Sequence, residues 1–383
     1  MTRPIRVVVV DDSAMMRRFI TDMLQRDPAI QVVGVASNGR EAIEVVQQLR
    51  PDVVTMDVRM PVMDGVATTE HLMAYCPTPI LVLTASLASY DVDITFKMLG
   101  AGALEVVEKP RGSDPQALEH AARDLVRRVK ILSRVKVVTH LRGRRRALND
   151  GSPPSPPASL DHQALPPAAP PHPAITPAPI PASANAFDVS LCPVVVIGAS
   201  TGGPRIIHQI IAGLPRSFPA AVLIVQHIAE GFSEGMAEWL ASAGTLPVRI
   251  AQEGAPVRPG EALIAPDRRN LLVTPQGTIH LSEAPLLMQR PSIDITMQAI
   301  ADVYGSRAIG VLLTGMGRDG AYGMLSLYRR NAYTIAQDEA SCAIFGMPRA
   351  AIQLGAVREV LPPTAIAARL VELVASMGFR VNG

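Results

Sequence analysis

VVVIGASTGGP at residues 194–204 and VVVVDDSAMMR at residues 7–17 share one design: a run of β-branched residues, then polar side chains, then the start of a helical pattern. An apolar run with no polar alternation reads as a strand buried on both faces, the habit of a parallel sheet covered by helices. The polar residues then fall at the carboxyl end of that strand, the edge where open parallel sheets bind ligands. A chain that carries this signature twice, far apart, is expected to be α/β with two separate sheets.

Around the first stretch, β-branched runs at Ile5–Val10, Gln31–Ala36, Asp52–Met56, Ile80–Leu83 and Leu104–Val107 alternate with helical patterns. Five such units predict a doubly wound, flavodoxin-like parallel sheet. Its first helix is capped by Ser13, with Met15, Met16, Phe19, Ile20, Met23 and Leu24 as the apolar stripe. Around the second stretch, Val194–Ile197, Val222–Val225 and Ile309–Leu313 are the clearest strands. They predict a Rossmann-like, three-layer domain. Turn signals at Pro266-Asp267 and Gln276-Gly277 within 261–281 add an inserted antiparallel hairpin region.

Composition separates the two. Residues 151–186 hold twelve of the 34 prolines and one charged residue, Asp161, so they form no core. This Pro/Ala-rich stretch reads as a semi-rigid spacer rather than a ligand for a proline-binding module; fully extended at about 3.1 Å per residue, it spans roughly 110 Å. Before it, DLVRRVKILSRVKVV (124–138) and then Arg142, Arg144, Arg145 and Arg146 read as a solvated helix end entering the linker, not a nucleic-acid patch. The expected division is 1–125, a linker region 126–190, and 191–383.

The whole-chain numbers exclude more than they assign. At 383 residues and 48% hydrophobic, the chain has material for two cores, and 36 basic against 34 acidic residues give a net charge of only +2. That balance offers no general attraction to nucleic acid or membrane. Cys76, Cys192 and Cys342 are odd in number and in no metal-ligand spacing, as expected where thiols stay reduced. The start, MTRPIRVVVVDD, is neither a signal peptide nor a spanning segment. A cytoplasmic protein is expected.

Asp11 and Asp12 follow the first strand and Asp57, in MDVRMPVMDG (56–65), follows the third. Clustered carboxylates need a cation, and an all-oxygen set that leaves room for a phosphate suits Mg²⁺. Thr84 follows the fourth strand and Lys109 the fifth, offering a hydroxyl and an ammonium to phosphoryl oxygens. Any one such residue alone would be a helix cap or a loop charge; the set at four strand ends is a phosphoacceptor site.

In the second domain, Ser200 lies in a glycine-rich turn before a helix opened by Pro204 and continued by Ile206, Ile207, Ile210, Ile211 and Leu214. The turn aims the amides around Thr201 and Gly202 and the positive helix end at developing negative charge. Taken alone, the loop reads equally well as a nucleotide phosphate cradle. His227, ending AAVLIVQH (220–227), decides against that, because its imidazole falls in the same crevice. Asp319, in VLLTGMGRDG (311–320), supplies the orienting carboxylate. The order Ser, His, Asp is not that of α/β-hydrolases, although G-x-S-x-G matches residues 198–202. Of the other histidines, His208 and His280 are read as structural.

Residues 5 to about 125 resemble a response-regulator receiver domain, and 192 to about 375 resemble the catalytic domain of the CheB family of chemotaxis protein-glutamate methylesterases. IGASTGG, VQH, RPSID (290–294) and GMGRDG carry the second resemblance. It implies that Asp57 accepts a phosphoryl group from a histidine kinase, with Asp11, Asp12 and the Arg59 carbonyl as further Mg²⁺ ligands. It also implies a Ser200, His227, Asp319 triad needing no cofactor, with the Met316 N–H as oxyanion donor and RPSID shaping the cleft without chemistry of its own. The expected function is a phosphorylation-activated serine hydrolase that removes methyl groups from glutamyl γ-methyl esters of chemoreceptor helices and deamidates receptor glutamines. The unphosphorylated receiver is expected to cover the cleft. Where receivers often carry an aromatic residue three positions before the lysine, this chain has Val106, which argues against a switch based on aromatic rotation. The competing readings are a phosphorylation-gated, non-catalytic module binding receptor or kinase, and a nucleotide-binding or transcriptional output.

Overall fold

The computed structural model describes residues 3–85, 89–110, 114–135, 137, 192–244, 246–285 and 290–378. The proline-rich spacer and Arg142, Arg144, Arg145 and Arg146 lie outside the described residues.

In the first domain β1 (Ile5–Val10), β2 (Ile30–Ala36), β3 (Val53–Asp57), β4 (Ile80–Thr84) and β5 (Glu105–Glu108) form one parallel sheet in the order β2-β1-β3-β4-β5. Helices α1 (Ala14–Gln25), α2 (Gly39–Leu49), α3 (Gly65–Tyr75), α4 (Ser89–Ala101) and α5 (Pro115–Leu132) connect and follow the strands. The strands are apolar on both sides because helices cover both: Val8, Val10, Val54 and Met56 face one cluster, and Val7, Val9, Val53 and Leu81 the other. Strand order reverses between β1 and β3, so the crevice at their carboxyl ends is where a ligand site is expected. The Ser13 hydroxyl caps α1 by accepting from the Met16 N–H at 3.3 Å. Met15 departs from the expected stripe and is 80% exposed, while Met16 beside it packs against the core.

The second domain has a seven-stranded, all-parallel sheet. It is built from β6 (Val194–Ala199), β7 (Ala221–Gln226), β8 (Val248–Ile250), β9 (Ala262–Ile264), β12 (Ala308–Leu312), β13 (Tyr333–Gln337) and β14 (Glu359–Leu361), in the order β14-β13-β12-β6-β7-β9-β8. Its helices are α6 (Gly203–Gly213), α7 (Ser233–Ala241), α8 (Ile293–Tyr304), α9 (Ala321–Arg329), α10 (Met347–Gln353) and α11 (Pro363–Ser376). The expected hairpin region is smaller than read from sequence. Among the strands of the described residues, β10 (Asn270–Val273) and β11 (Ile279–Ser282) make the antiparallel pair, around the turn at Gln276-Gly277, with one further antiparallel bridge from Pro256 to Thr278. Pro266-Asp267 makes no hairpin; β9 before it is a parallel strand paired with β7 and β8. Here the reversal falls between β6 and β12, with Ser200 at the end of one and Thr314 beyond the other.

The two domains touch through α4 and α7, where Phe96 and Trp239 stack with ring centroids 5.5 Å apart. One apolar cluster passes through this contact, taking in Phe96 and Leu99 on one side and Met236 and Leu240 on the other. No helix among the described residues is long and apolar enough to cross a membrane.

Candidate functional sites

At the carboxyl edge of the first sheet, Asp11 and Asp57 are buried and Asp12 is exposed. One oxygen from each lies within 4.8 Å of the others. Lys109 reaches back from the end of β5 to bridge two of them, its Nζ 2.6 Å from Asp11 Oδ2 and 2.8 Å from Asp57 Oδ1. Burial alone would lower the Lys109 pKa, but these two carboxylates outweigh it and hold the ammonium above its ordinary value. Burial pushes the Asp57 carboxyl up, against the pull of Lys109. Asp11 Oδ2 is ion-paired yet has no hydrogen bond of good geometry. An all-oxygen cluster with a buried, under-satisfied carboxylate oxygen fits a hard divalent cation. Thr84 is buried at the end of β4, where its carbonyl accepts the Lys109 N–H at 2.7 Å. Arg59 stands exposed two residues beyond Asp57. The peptide before Pro110 is trans; the cis bonds among the described residues precede Pro285 and Pro291.

In the second domain the strand ends bring Ser200, His227 and Asp319 together. The Ser200 N–H donates to the Thr314 carbonyl at 3.0 Å, tying the end of β6 to that of β12. Gln226 fixes the neighbouring strand end: its buried Nε2 donates to the carbonyls of Ser200 at 3.0 Å and His227 at 2.7 Å. His227 Nε2 lies 2.8 Å from Asp319 Oδ2. With Nε2 as the protonated nitrogen, Nδ1 keeps its lone pair, and Nδ1 is buried with no hydrogen-bond partner. Burial raises the Asp319 pKa, but His227 and the backbone N–H groups of Asp294 and Ile293 outweigh it and hold the carboxyl below the usual range. Gly202 begins α6 at φ +78°, where a side chain would meet Ala343 Cβ at 2.7 Å; glycine is required on both counts. Gly315 lies against Ser200, a Cβ there falling 2.7 Å from Ser200 Cβ. This places Met316 next to the serine with its side chain 50% exposed.

RPSID does more than shape a cleft. The Asp319 carboxylate receives the Ser292 hydroxyl at 3.0 Å and the N–H groups of Ile293 at 2.9 Å, Asp294 at 2.9 Å and Gly320 at 3.1 Å. Sequence reading missed this, and missed Gln226. Ser292 had a local signal as the N-cap of α8, where its Oγ accepts from Ile295. Its partner, 27 residues away in sequence, had none.

The first domain covers this site. The Leu104 carbonyl accepts the Gly202 N–H at 3.1 Å, and Glu105 Oε2 accepts from the Thr201 hydroxyl at 3.3 Å. Arg128 of α5 pairs with the other Glu105 oxygen. Leu99, Leu104, Glu105 and Val106 face Ser200 and His227 across a gap of about 20 Å³, room for one water and not for an ester side chain. Ser200 is only 9% exposed.

Residues 7–123 match the family model for the response regulator receiver domain, and 195–370 that for CheB methylesterase. Fold and sites define a response regulator whose output is an α/β enzyme domain instead of a DNA-binding one. A protein from Symbiobacterium thermophilum, named protein-glutamate methylesterase/protein-glutamine glutaminase, is 41% identical over 95% of this chain and 96% of its own length. A relative of that name from Anaeromyxobacter dehalogenans is 43% identical over 96% of this chain and 98% of its own. Among solved structures, the Thermotoga maritima CheB methylesterase catalytic domain is 39% identical, covering 48% of this chain and all of that one, with a TM-score of 0.47. The chain belongs to the CheB family of receiver-linked methylesterases.

Proposed function

We propose that this protein hydrolyses glutamyl γ-methyl esters on the cytoplasmic helices of chemoreceptors, and deamidates receptor glutamines, when its receiver is phosphorylated. The observation that carries the reading is the His227–Asp319 hydrogen bond at 2.8 Å, made beside a serine that the receiver shields. In the mechanism, Asp319 holds the Nε2–H tautomer, and His227 Nδ1 takes the proton of Ser200 as its oxygen attacks the ester carbon. The oxyanion is met by the Met316 N–H and by the loop amides of Thr201 and Gly202. His227 returns the proton to the departing methanol, or to ammonia from an amide. Water then releases glutamate by the reverse proton path. No cofactor enters these steps.

In the receiver, Asp57 is the phosphoacceptor, served by a chemotaxis histidine kinase. Thr84 and Lys109 would contact the phosphoryl oxygens, and Asp11, Asp12, Asp57 and the Arg59 carbonyl would hold Mg²⁺, which when bound would supply positive charge to offset that of the phosphoryl group. The docked receiver inhibits in two ways: it fills the cleft, and the Leu104 carbonyl occupies the Gly202 N–H that the oxyanion needs. Phosphorylation adds about −1.5 to −2 charges beside α4 and β5, biasing the docked pair toward separation. The protein acts in the cytoplasm, without nucleic acid and without membrane insertion.

Methanol release from methylated receptor membranes, with and without a small-molecule phosphodonor, tests both halves. The full chain should accelerate with phosphodonor and Asp57→Asn should not. Methanol release that survives in Ser200→Ala would overturn the serine as nucleophile, and a full chain that releases no methanol with phosphodonor would leave the non-catalytic binding reading standing.

A further inference from the structure

We propose that Ser292 is a positioning residue of the hydrolytic site, holding the Asp319 carboxylate in the orientation that presents His227 to the serine. The inference rests on the triad reading above. Ser292 is 2% exposed, and its hydroxyl has two partners: it donates to Asp319 Oδ1 at 3.0 Å and accepts from the Ile295 N–H at 3.4 Å. One oxygen therefore both starts α8 and steers the carboxylate beyond it.

The geometry shows why a steering donor is needed. His227 takes only Oδ2, so a single contact leaves the carboxylate free to rotate about its Cβ–Cγ bond. Ser292 and the N–H groups of Asp294 and Gly320 all hold Oδ1, Ser292 as the one side-chain donor among them, while Ile293 N–H shares Oδ2 with the imidazole. Ser292 is itself braced, because its N–H donates at 2.9 Å to Oδ1 of Asn270, a fully buried residue of β10. Asn270 Nδ2 in turn holds the Ala284 carbonyl at 3.2 Å. A line of hydrogen bonds thus runs from the β10–β11 hairpin through Ser292 to Asp319 and His227. The hairpin, outside the main sheet, gains a role in orienting the site.

The test compares Ser292→Gly with Ser292→Thr in the full chain. Glycine keeps the helix start with little loss but removes the hydroxyl; threonine retains it. With phosphodonor present, Ser292→Gly should lower kcat for methanol release about ten-fold with little change in KM, the scale of one lost hydrogen bond to a charged group. It should also shift the acid limb of the pH profile of kcat/KM, because the carboxylate that orients the base has lost a donor. Ser292→Thr should restore both. A purely structural role would lower the thermal midpoint and the active fraction while leaving the pH limb in place, and that result overturns the proposal, as does wild-type kcat in Ser292→Gly. His227→Ala is assayed alongside. If it remains active, the triad reading has failed; if it is dead while Ser292→Gly behaves as wild type, only the positioning role has.

Discussion

His227 Nδ1 is buried and unpartnered, so in the docked form the hydrogen bond a nucleophilic serine needs from its base is not made. Ser200→Ala should cost on the order of 10³-fold or more in methanol release while leaving the thermal midpoint close to wild type. Asp319 gives a stability prediction with a definite sign. Its folded pKa is held below the ordinary aspartate value of about 3.9, so the unfolded chain binds the proton first as pH falls. The stabilisation is therefore present above that value and lost as pH drops through the lower, folded one. Below about pH 4, wild type should lose stability more steeply than Asp319→Asn in denaturant titrations; parallel curves would remove the claim. Asp11, Asp57, Lys109, Ser200 and His227 were legible because each closes or directly follows a strand; Asp319 lies seven residues beyond β12 and was read from its glycine-rich segment. Ser292 and Gln226 were not: their contacts join separate segments, and a buried serine or glutamine reads locally as a cap or a strand end.

Among the elements, α4 and α7 decide how the site is kept shut. The single tryptophan of the chain, Trp239, lies on α7 between Phe96 of α4 and His208 of α6, with ring centroids 5.5 and 4.4 Å away. His208 packs against the indole from within its own domain. Trp239 emission should shift when a phosphodonor is added to the full chain, and should not in Asp57→Asn. Phe96→Ala should raise unphosphorylated activity about ten-fold, the scale of a lost aromatic contact and the area it buries. An unchanged basal rate would move the docking energy elsewhere. The strands of both sheets were readable from β-branched runs. The fate of 261–281 was not, because a three-residue strand such as Ala262–Ile264 carries no register in its sequence, and turn residues mark where a chain bends rather than which neighbour it then meets. Nor does α4 announce itself as a docking surface: Phe96, Met98 and Leu99 are all apolar and buried, and nothing in their local sequence separates those that meet the helix's own sheet from those that meet the partner domain.

For the molecule as a whole, removing residues 1–186 should raise methanol release above that of the unphosphorylated full chain; equal rates would refute inhibition by the receiver. The receiver and enzyme halves were separable in sequence because 151–186 has no apolar periodicity, whereas their mutual arrangement depends on surfaces that no single segment encodes. The Leu104–Gly202 contact carries one more consequence. Since a single amide cannot serve the receiver and the oxyanion together, capped and working molecules are separate populations, and resting turnover is a census of the uncapped ones. A resting rate of about 1% of the truncated chain would put the closed form ahead by about 2.7 kcal/mol. Substrate helices that reach only uncapped molecules would deplete that population and draw more from the closed one. Crowding this enzyme onto a dense, heavily methylated array should therefore start demethylation before any kinase signal arrives.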